Sequence, residues 1–454
     1  MGRAIRKAPS TYMNQYIGIV GLCAVIAVCY GLSRNRRRID WKLVGYGIAL
    51  QVILAFVVLK SSPGRMVFDY LNDGFDALMA QSKEGASFLF GGLTEQSISV
   101  TDARDAKVGG IVRLGASFAF AVLPSVVFFS CLMAILYHVG LMHRIVYVMA
   151  LIMKKTLKTS GAESLSAAAN IFVGQTEAPL LIRPYLDKMT KSEILAVMVG
   201  GMANIAGGVL AAYVSMLSDT FPDIAGHLIA GSIMSAPASL VLAKILLPEE
   251  EVPETSGNVD AHFVRIDANV IDAATRGASE GLMLALNIGA MLICAVALVA
   301  LGNSVWGFCC HSFTTMTGVN LLHVDTLQEV LGYLFAPVAW LLGIPSQDCL
   351  VAGKLLGEKT ILNEFVAYAH MGDYLHGKPL MDGLPVQELT ERTKVILSYA
   401  LCGFANVGSI GVLVGGMGAL MPSRRGDIAR LGLLALVGGT CSTFMTAIIA
   451  GMIL

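Results

Sequence analysis

Eight long apolar stretches constrain the fold of this chain more than any other feature. Each offers about 20 mostly apolar residues, the length that a helix needs to cross the hydrocarbon core of a bilayer. They cover residues 15–33, 43–60, 115–140, 193–217, 226–248, 280–302, 393–418 and 429–454. Only 14% of the 454 residues are charged, against roughly 25% in soluble domains. The sequence therefore predicts an all-α integral membrane protein with eight transmembrane helices.

Four other stretches are too short or too interrupted to be full spans. Residues 64–85 and 141–158 mix apolar and charged positions, which predicts interfacial helices. Residues 162–187 and about 336–370 are apolar but interrupted by small and polar residues. We expect them to be two re-entrant hairpins, whose tips need protein or water around them.

The distribution of Lys and Arg between the short loops predicts the orientation of the chain. The loop after the first span, the stretch before the first hairpin and the loop before the eighth span are basic. By contrast, residues 303–330 contain neither Lys nor Arg. With the basic loops in the cytoplasm, both termini lie outside it and the two hairpins enter the membrane from opposite sides.

One unit occurs twice along the chain, as a hairpin followed by a span that Asn and Gly interrupt. The first unit carries Glu177 and Asn204, and the second carries Glu364 and Asn406. Inverted repeats with discontinuous helices are typical of secondary transporters. Small residues alone would also mark close helix packing, which explains Gly and Ala but does not require Asn and Glu.

The repeat divides the chain into five expected segments. Residues 1–140 would hold scaffold helices and the first interfacial helix, and 141–225 the first half of a transport domain. Residues 226–335 would hold the fifth helix, a cytoplasmic linker, the sixth helix and an extracytoplasmic segment. The second half of the transport domain would cover 336–425, and a C-terminal helix 426–454.

Polar side chains in the hairpins and broken spans are the candidate site. An ionisable group inside a membrane is costly without partners, so its presence points to function. The candidates with donors or acceptors are Gln175, Thr176, Glu177, Glu364, Asn406 and Ser409. This set suits a neutral solute with hydroxyl groups or a heterocycle, because carboxylates accept from diols and amides pair with base edges. Phe404 either faces a flat ring or fills core space.

Oxygen atoms near the first hairpin tip indicate a cation site. Unwound backbone exposes carbonyl oxygens, and discontinuous helices in transporters coordinate Na⁺ with such groups. The candidate positions are Asn170, Val173, Asn204 and Ile205.

The remaining sequence features argue mainly against other classes of function. The net charge is zero, which gives no indication of a nucleic acid polymer as partner, and the nine cysteines form no ligand set. Neither a metalloprotease motif, a nucleophile elbow nor a phosphate-binding loop is present, which argues against an enzyme. His370 and His376 are expected to be solvated, residues 249–256 to be a plain cytoplasmic linker, and Lys359 either to pair with a carboxylate or to snorkel.

Three motifs resemble the concentrative nucleoside transporters, especially bacterial sodium-coupled members. They are GQTEAP at 174–179, GEKTILNEFVAY at 357–368 and ALCGFAN at 400–406. The resemblance runs through most of residues 85–454. It implies a homotrimer in the bacterial inner membrane that imports nucleosides such as uridine with Na⁺, by elevator-like movement of a transport part against a scaffold.

The resemblance also implies roles for individual residues. Gln175, Thr176 and Glu177 match nucleobase contacts, and Val209, Leu284 and Phe404 match its apolar or aromatic neighbours. The ribose ligands would be Glu364, Asn406 and Ser409, and the sodium ligands Asn170, Val173, Asn204 and Ile205. Close relatives carry a small hydroxyl residue in place of Asn204, and one has Ser in place of Gly408, so the cation and ribose contacts depart locally from the family pattern.

Three alternatives differ in what they require. A proton-coupled symporter of the same fold would need Glu177 or Glu364 to titrate near neutral pH. A membrane-embedded enzyme would use the same two carboxylates as an acid–base pair. A passive channel or a receptor would not concentrate solute.

Overall fold

Helices account for nearly all of the computed structural model, which describes residues 9–95, 97–101, 108–113, 118–256, 267–317, 326–380 and 387–454. Before the first hairpin the α-helices are α1 (Pro9–Leu32), α2 (Trp41–Lys60), α3 (Ser62–Phe90), α4 (Leu123–His138) and α5 (Leu141–Leu157). Helices α3 and α5 confirm helical structure at the two expected interfacial stretches. An antiparallel pair of strands, β1 (Ser97–Thr101) and β2 (Val108–Arg113), precedes α4 and was not expected from the sequence.

The first repeat consists of short helices with two interruptions. Its elements are α6 (Gly161–Ala169), a 3₁₀ helix (Ala178–Lys188), α7 (Lys191–Ala203) and α8 (Gly207–Leu217). Capping boxes fix two of the starts: Ser160 with Glu163 for α6, and Thr190 with Glu193 for α7. Asn204 adopts an extended conformation and ends α7, so the expected break in this span is present.

The middle of the chain holds three helices, of which the second is the longest in the described part of the chain. They are α9 (Ile224–Leu246), α10 (Val270–Thr317) and α11 (Leu327–Leu341). Helix α10 is much longer than the predicted span 280–302, because charged residues such as Asp272 and Arg276 continue the helix before the apolar part begins.

The second repeat follows the pattern of the first. Its elements are α12 (Cys349–Ile361), α13 (Glu364–Leu375), α14 (Glu391–Leu401) and α15 (Val407–Leu420), and α16 (Arg425–Ile453) ends the chain. Asn363 caps α13 by accepting from Val366 N at 2.9 Å, and Asn406 caps α15 by accepting from Ser409 N at 2.9 Å. The predicted span 393–418 is therefore two helices with an irregular segment between them.

The number of spans differs from the eight expected. Among the described residues, six helical segments are long and apolar enough to cross a membrane. The apolar part of α1 (Tyr16–Leu32) and helix α15 are shorter than that length. The difference arises at the first span, whose beginning lies near the undescribed residues, and at the seventh, which the break divides.

The core lies around the broken span of the first repeat. The most apolar parts of α7–α8 and of α9 are each 89% buried, whereas that of α10 is only 6% buried. Helix α16 packs against α7, α9 and α14, and α1 and α2 pack on α9 and α16. Helix α10 packs mainly against α4, which also contacts α8. The candidate site therefore lies inside the most buried part of the chain.

Candidate substrate and cation site

The irregular segments of the two broken spans touch each other. Phe404 N donates a hydrogen bond to Asn204 O at 3.3 Å. Next to it, a Cβ on Gly403 would lie 2.9 Å from Met202 O and 2.7 Å from Thr443 Cγ2. Real side chains do not approach backbone this closely, so glycine at this position permits the crossing. The two helix breaks that the sequence predicted thus lie next to each other in the fold.

The tip of the first hairpin packs on the break between α7 and α8. Gly207 N donates to Phe172 O at 3.0 Å. A Cβ on Gly201 would lie 2.7 Å from Gln175 Cβ, so Gln175 lies directly against α7. This arrangement brings the residues of the GQTEAP motif to the half of the site formed by the first repeat.

Glu364 is the centre of a buried hydrogen-bond network. Its carboxylate accepts from Tyr213 OH at 3.0 Å through Oε1 and from Asn406 Nδ2 at 3.1 Å through Oε2. Asn406 Oδ1 in turn accepts from Ser409 N at 2.9 Å and from Ser409 Oγ at 3.2 Å. The side chains of Glu364, Asn406 and Ser409 are all buried. The three residues expected to bind the sugar therefore belong to one hydrogen-bond network.

Tyr213 belongs to this network although the sequence analysis did not find it. The residue is fully buried in α8, and its ring stacks on Tyr368 with 4.3 Å between centroids. Its hydroxyl needs a partner because buried polar groups are hydrogen-bonded. The signal in the sequence is weak, since a single tyrosine among small residues also suits plain packing. Val209 lies one helical turn before Tyr213 and shares that face of α8.

The residues expected at a nucleobase occupy different environments. Gln175 Oε1 is buried and has no hydrogen-bond partner among the described residues. Thr176 lies against α15, since a Cβ on Gly416 would be 2.5 Å from Thr176 Cγ2. Glu177 is exposed in the single chain and accepts from Gly174 N at 3.4 Å. Of the three side chains, Gln175 has an acceptor left for a ligand inside the core.

Leu284 lies on α10, which packs mainly against α4. One turn before it, a Cβ on Gly281 would lie 2.8 Å from Val127 Cα of α4. Ser130 of α4 would contact Cβ atoms on both Gly281 and Gly208, at 3.1 Å from its Oγ in each case. Helix α4 thus stands between α10, which carries Leu284, and α8. Phe404 lies half-buried at the break, two residues before Asn406.

Two of the expected cation ligands, Asn170 and Asn204, lie beside Gly200 near the end of α7. Asn204 Nδ2 donates to Gly200 O at 3.4 Å, and a Cβ on Gly200 would lie 3.3 Å from Asn170 Nδ2. Asn170 Oδ1 is buried and has no hydrogen-bond partner among the described residues, whereas Asn204 Oδ1 accepts from Ser235 Oγ.

Val173 and Ile205 lie beside these two asparagines in the chain, Val173 half-buried and Ile205 buried. Neutral oxygens at a helix end are the groups with which transporters hold Na⁺. The side-chain oxygen of Asn170 fits that requirement without rearrangement, whereas the oxygen of Asn204 would share the ion with Ser235.

Three expectations outside the site were wrong, and the first two concern Lys359 and the histidines. Lys359 neither pairs with a carboxylate nor snorkels: its side chain is fully buried, and Nζ donates to Ala400 O at 2.6 Å and to Thr443 Oγ1 at 2.8 Å. The break after α14 frees the carbonyl that Lys359 needs, which the sequence does not display. The two histidines are not simply solvated: Nδ1 of His370 lies 2.8 Å from Oε2 of the buried Glu358, and Nδ1 of His376 lies 2.7 Å from Gly372 O.

The segment expected to be a plain linker is packed onto the first repeat. Glu249 accepts from Lys244 Nζ at 3.2 Å and from Thr190 Oγ1 at 2.9 Å. Lys244 also pairs with the buried Glu163 at 2.9 Å. The buried lysine accounts for the difference, since its charge requires acidic partners.

Comparison with known proteins identifies the family. Models of the Na⁺ dependent nucleoside transporter match at residues 20–93 for the N-terminal part and 227–451 for the C-terminal part, and a nucleoside recognition model matches at 119–220. The uncharacterized transporter YutK of Bacillus subtilis is 40% identical over 97% of this chain and 100% of its own length. The sodium/nucleoside cotransporter 1 of Sus scrofa is 37% identical over 97% of this chain and 64% of its own length.

A solved structure extends the likeness to three dimensions. The structure of CNTnw in an inward-facing, substrate-bound state is 42% identical, covers 98% of both chains and superimposes with a TM-score of 0.83. A variant of the same protein in an outward-facing state also gives 0.83. The chain is a multi-pass membrane transporter, and it belongs to the family of Na⁺ dependent nucleoside transporters.

Proposed function

We propose that this protein is a symporter that imports nucleosides across the bacterial inner membrane, driven by the Na⁺ gradient. The observation that carries the proposal is the buried carboxylate of Glu364 at the start of α13, held by Tyr213 and by Asn406 of the break between α14 and α15. A carboxylate in this position has lone pairs left to accept from vicinal hydroxyls of a ribose. Such charge-assisted bonds are roughly twice as strong as neutral ones.

The nucleobase would lie toward the first hairpin. The unpartnered Oε1 of Gln175 is an acceptor for a base N–H, and leaving it unpaired in the core costs about 1–3 kcal/mol. Thr176 and Glu177 would add polar contacts, and Val209 and Phe404 apolar surface. Leu284 on α10 would join this set only if α4 and α10 move relative to α8.

The sodium ion would bind where the hairpin tip meets the end of α7, at Asn170, Val173, Asn204 and Ile205. Asn170 Oδ1 supports this assignment because it is a buried oxygen without a partner among the described residues. One charge that moves down about 100 mV supplies roughly 2.3 kcal/mol. Binding of the ion would favour the nucleoside-competent arrangement by its differential affinity for the two states.

The movement would displace the two repeats together against the scaffold. The halves at 141–225 and 336–425 share the contact between Phe404 and Asn204, which supports their moving as one body. Helix α10, mostly exposed in the single chain, offers the apolar surface that a homotrimer would bury.

Binding of uridine to the purified protein in NaCl and in KCl tests this proposal. We expect binding that tightens with Na⁺ concentration and is lost in KCl, because the ion completes the arrangement between the first hairpin and α7. Equal binding in the two salts would contradict the sodium assignment, and absence of uridine binding in both would contradict nucleosides as substrates.

A further inference from the structure

A buried lysine reaches the C-terminal end of α14, the helix that precedes the break in the second repeat. Lys359 of α12 is fully buried, and its ammonium donates to Ala400 O, next to the last residue of α14. The last carbonyls of a helix have no partner within it. A positive charge is stabilising there because the helix dipole places partial negative charge at this end.

The hydrogen bonds around the break explain why Ala400 O is available. In a continuous helix this carbonyl would accept from the N–H four residues later, which is Phe404 N. Phe404 N instead donates to Asn204 O of the first repeat, at 3.3 Å. The ammonium of Lys359 replaces it at 2.6 Å and reaches α16 through Thr443 Oγ1 at 2.8 Å. Its Nζ also lies 5.9 Å from the centre of the Phe444 ring.

The corresponding junction of the first repeat has no such lysine. There, α6 (Gly161–Ala169) contains neither Lys nor Arg. Asn170 follows it with its amide nitrogen against Gly200 of α7 and with a buried Oδ1 that has no hydrogen-bond partner among the described residues. Both junctions bring a hairpin to the C-terminal end of a half-helix. One holds an oxygen without a partner among the described residues, and the other holds a covalently attached cation.

Lys359 also places a positive charge in the same buried core as the carboxylate of Glu364, although its ammonium donates to Ala400 O and Thr443 Oγ1. Two buried charges of opposite sign avoid the cost of one isolated charge in the core. Removing the ammonium would leave Ala400 O without the donor that it has in this structure.

We propose that Lys359 is a tethered cation that occupies, in the second repeat, the position that an exchangeable Na⁺ occupies in the first. This inference rests on the proposed function. Lys359 is a positioning residue: it holds the end of α14, and thereby Asn406, without touching the nucleoside.

Chemical rescue tests the proposal. Lys359→Ala removes a propylammonium-sized group, and we expect uridine to bind at least about tenfold more weakly, as for loss of hydrogen bonds to a charged group. Millimolar n-propylammonium should restore most of the affinity, whereas the neutral 1-propanol should not. Lys359→Met fills the space without a charge, so it should lose binding and gain nothing from n-propylammonium.

Two results with Lys359→Ala would overturn the proposal. Wild-type affinity in Lys359→Ala, or a loss that n-propylammonium and 1-propanol relieve equally, would show that the charge has no role. If Lys359→Ala does not fold, Lys359→Met with wild-type thermal stability decides: retained uridine binding would overturn the proposal, and lost binding would support it. The wild-type protein is measured in the same assay, so failure of uridine to bind at all counts against the proposed function and not against Lys359 alone.

Discussion

At the scale of single residues, the account depends on Glu364 and its two donors. The carboxylate is buried, and both of its oxygens accept hydrogen bonds from other parts of the chain, Tyr213 in the first repeat and Asn406 in the second. One side chain thus joins the two halves. Replacing Glu364 with Gln separates a role in binding from a role in packing, because Gln has nearly the same shape as Glu.

Glu364→Gln is expected to weaken uridine binding by about 100-fold or more. The amide removes the charge and turns one acceptor into a donor that faces Tyr213 or Asn406, and bonds to charged groups contribute about 1.5–3 kcal/mol each. Isothermal titration of the purified variant measures the loss. The control is Glu254→Gln, since Glu254 pairs with the exposed Lys188 and exposed pairs contribute little. Unchanged binding by Glu364→Gln would remove it from the site.

Tyr213→Phe is expected to weaken uridine binding by about tenfold, because it removes one donor to Glu364 and retains the ring that stacks on Tyr368. The dissociation constant for uridine measures this effect. Tyr399→Phe is the matched control, because Tyr399 is equally buried but lies against His227. Equal losses in the two variants would indicate a general effect of buried hydroxyls.

At the scale of elements, the irregular segments between α7 and α8 and between α14 and α15 decide the geometry. Their existence was predictable, because Asn204 and Asn406 are polar residues in apolar stretches and Asn favours helix ends. Their crossing was not, since it depends on a contact between Gly403 and the backbone of Met202 that no local pattern displays.

Gly403→Ala is expected to push the two segments apart and to destabilise the protein by about 1–3 kcal/mol, as overpacking does. Uridine binding should weaken with it, because Asn406 follows the displaced segment. Thermal unfolding and uridine titration measure the two effects. Gly411→Ala on α15 is the control, since its added methyl group meets nothing within 4 Å. Wild-type stability and affinity in Gly403→Ala would contradict the close crossing.

At the scale of the whole molecule, hydrophobic length and the family motifs predicted the class of protein and its repeated units. The length of α10 and the strand pair β1–β2 were not predicted, because the apolar pattern marks what lipid covers and not where a helix begins or ends. The partners of Lys359 were equally hidden, since Ala400 O is available only after the chain has folded. Residues with side-chain partners far away in sequence are the ones that sequence reasoning missed.

Uptake of radiolabelled uridine into proteoliposomes tests the central claim of Na⁺-driven nucleoside import most directly. The account predicts accumulation above the external concentration with an inward Na⁺ gradient and none when K⁺ replaces Na⁺. Uptake that continues without Na⁺ but collapses with a protonophore would contradict sodium coupling and assign the driving force to protons. Equilibration without accumulation under either gradient would contradict a symporter altogether.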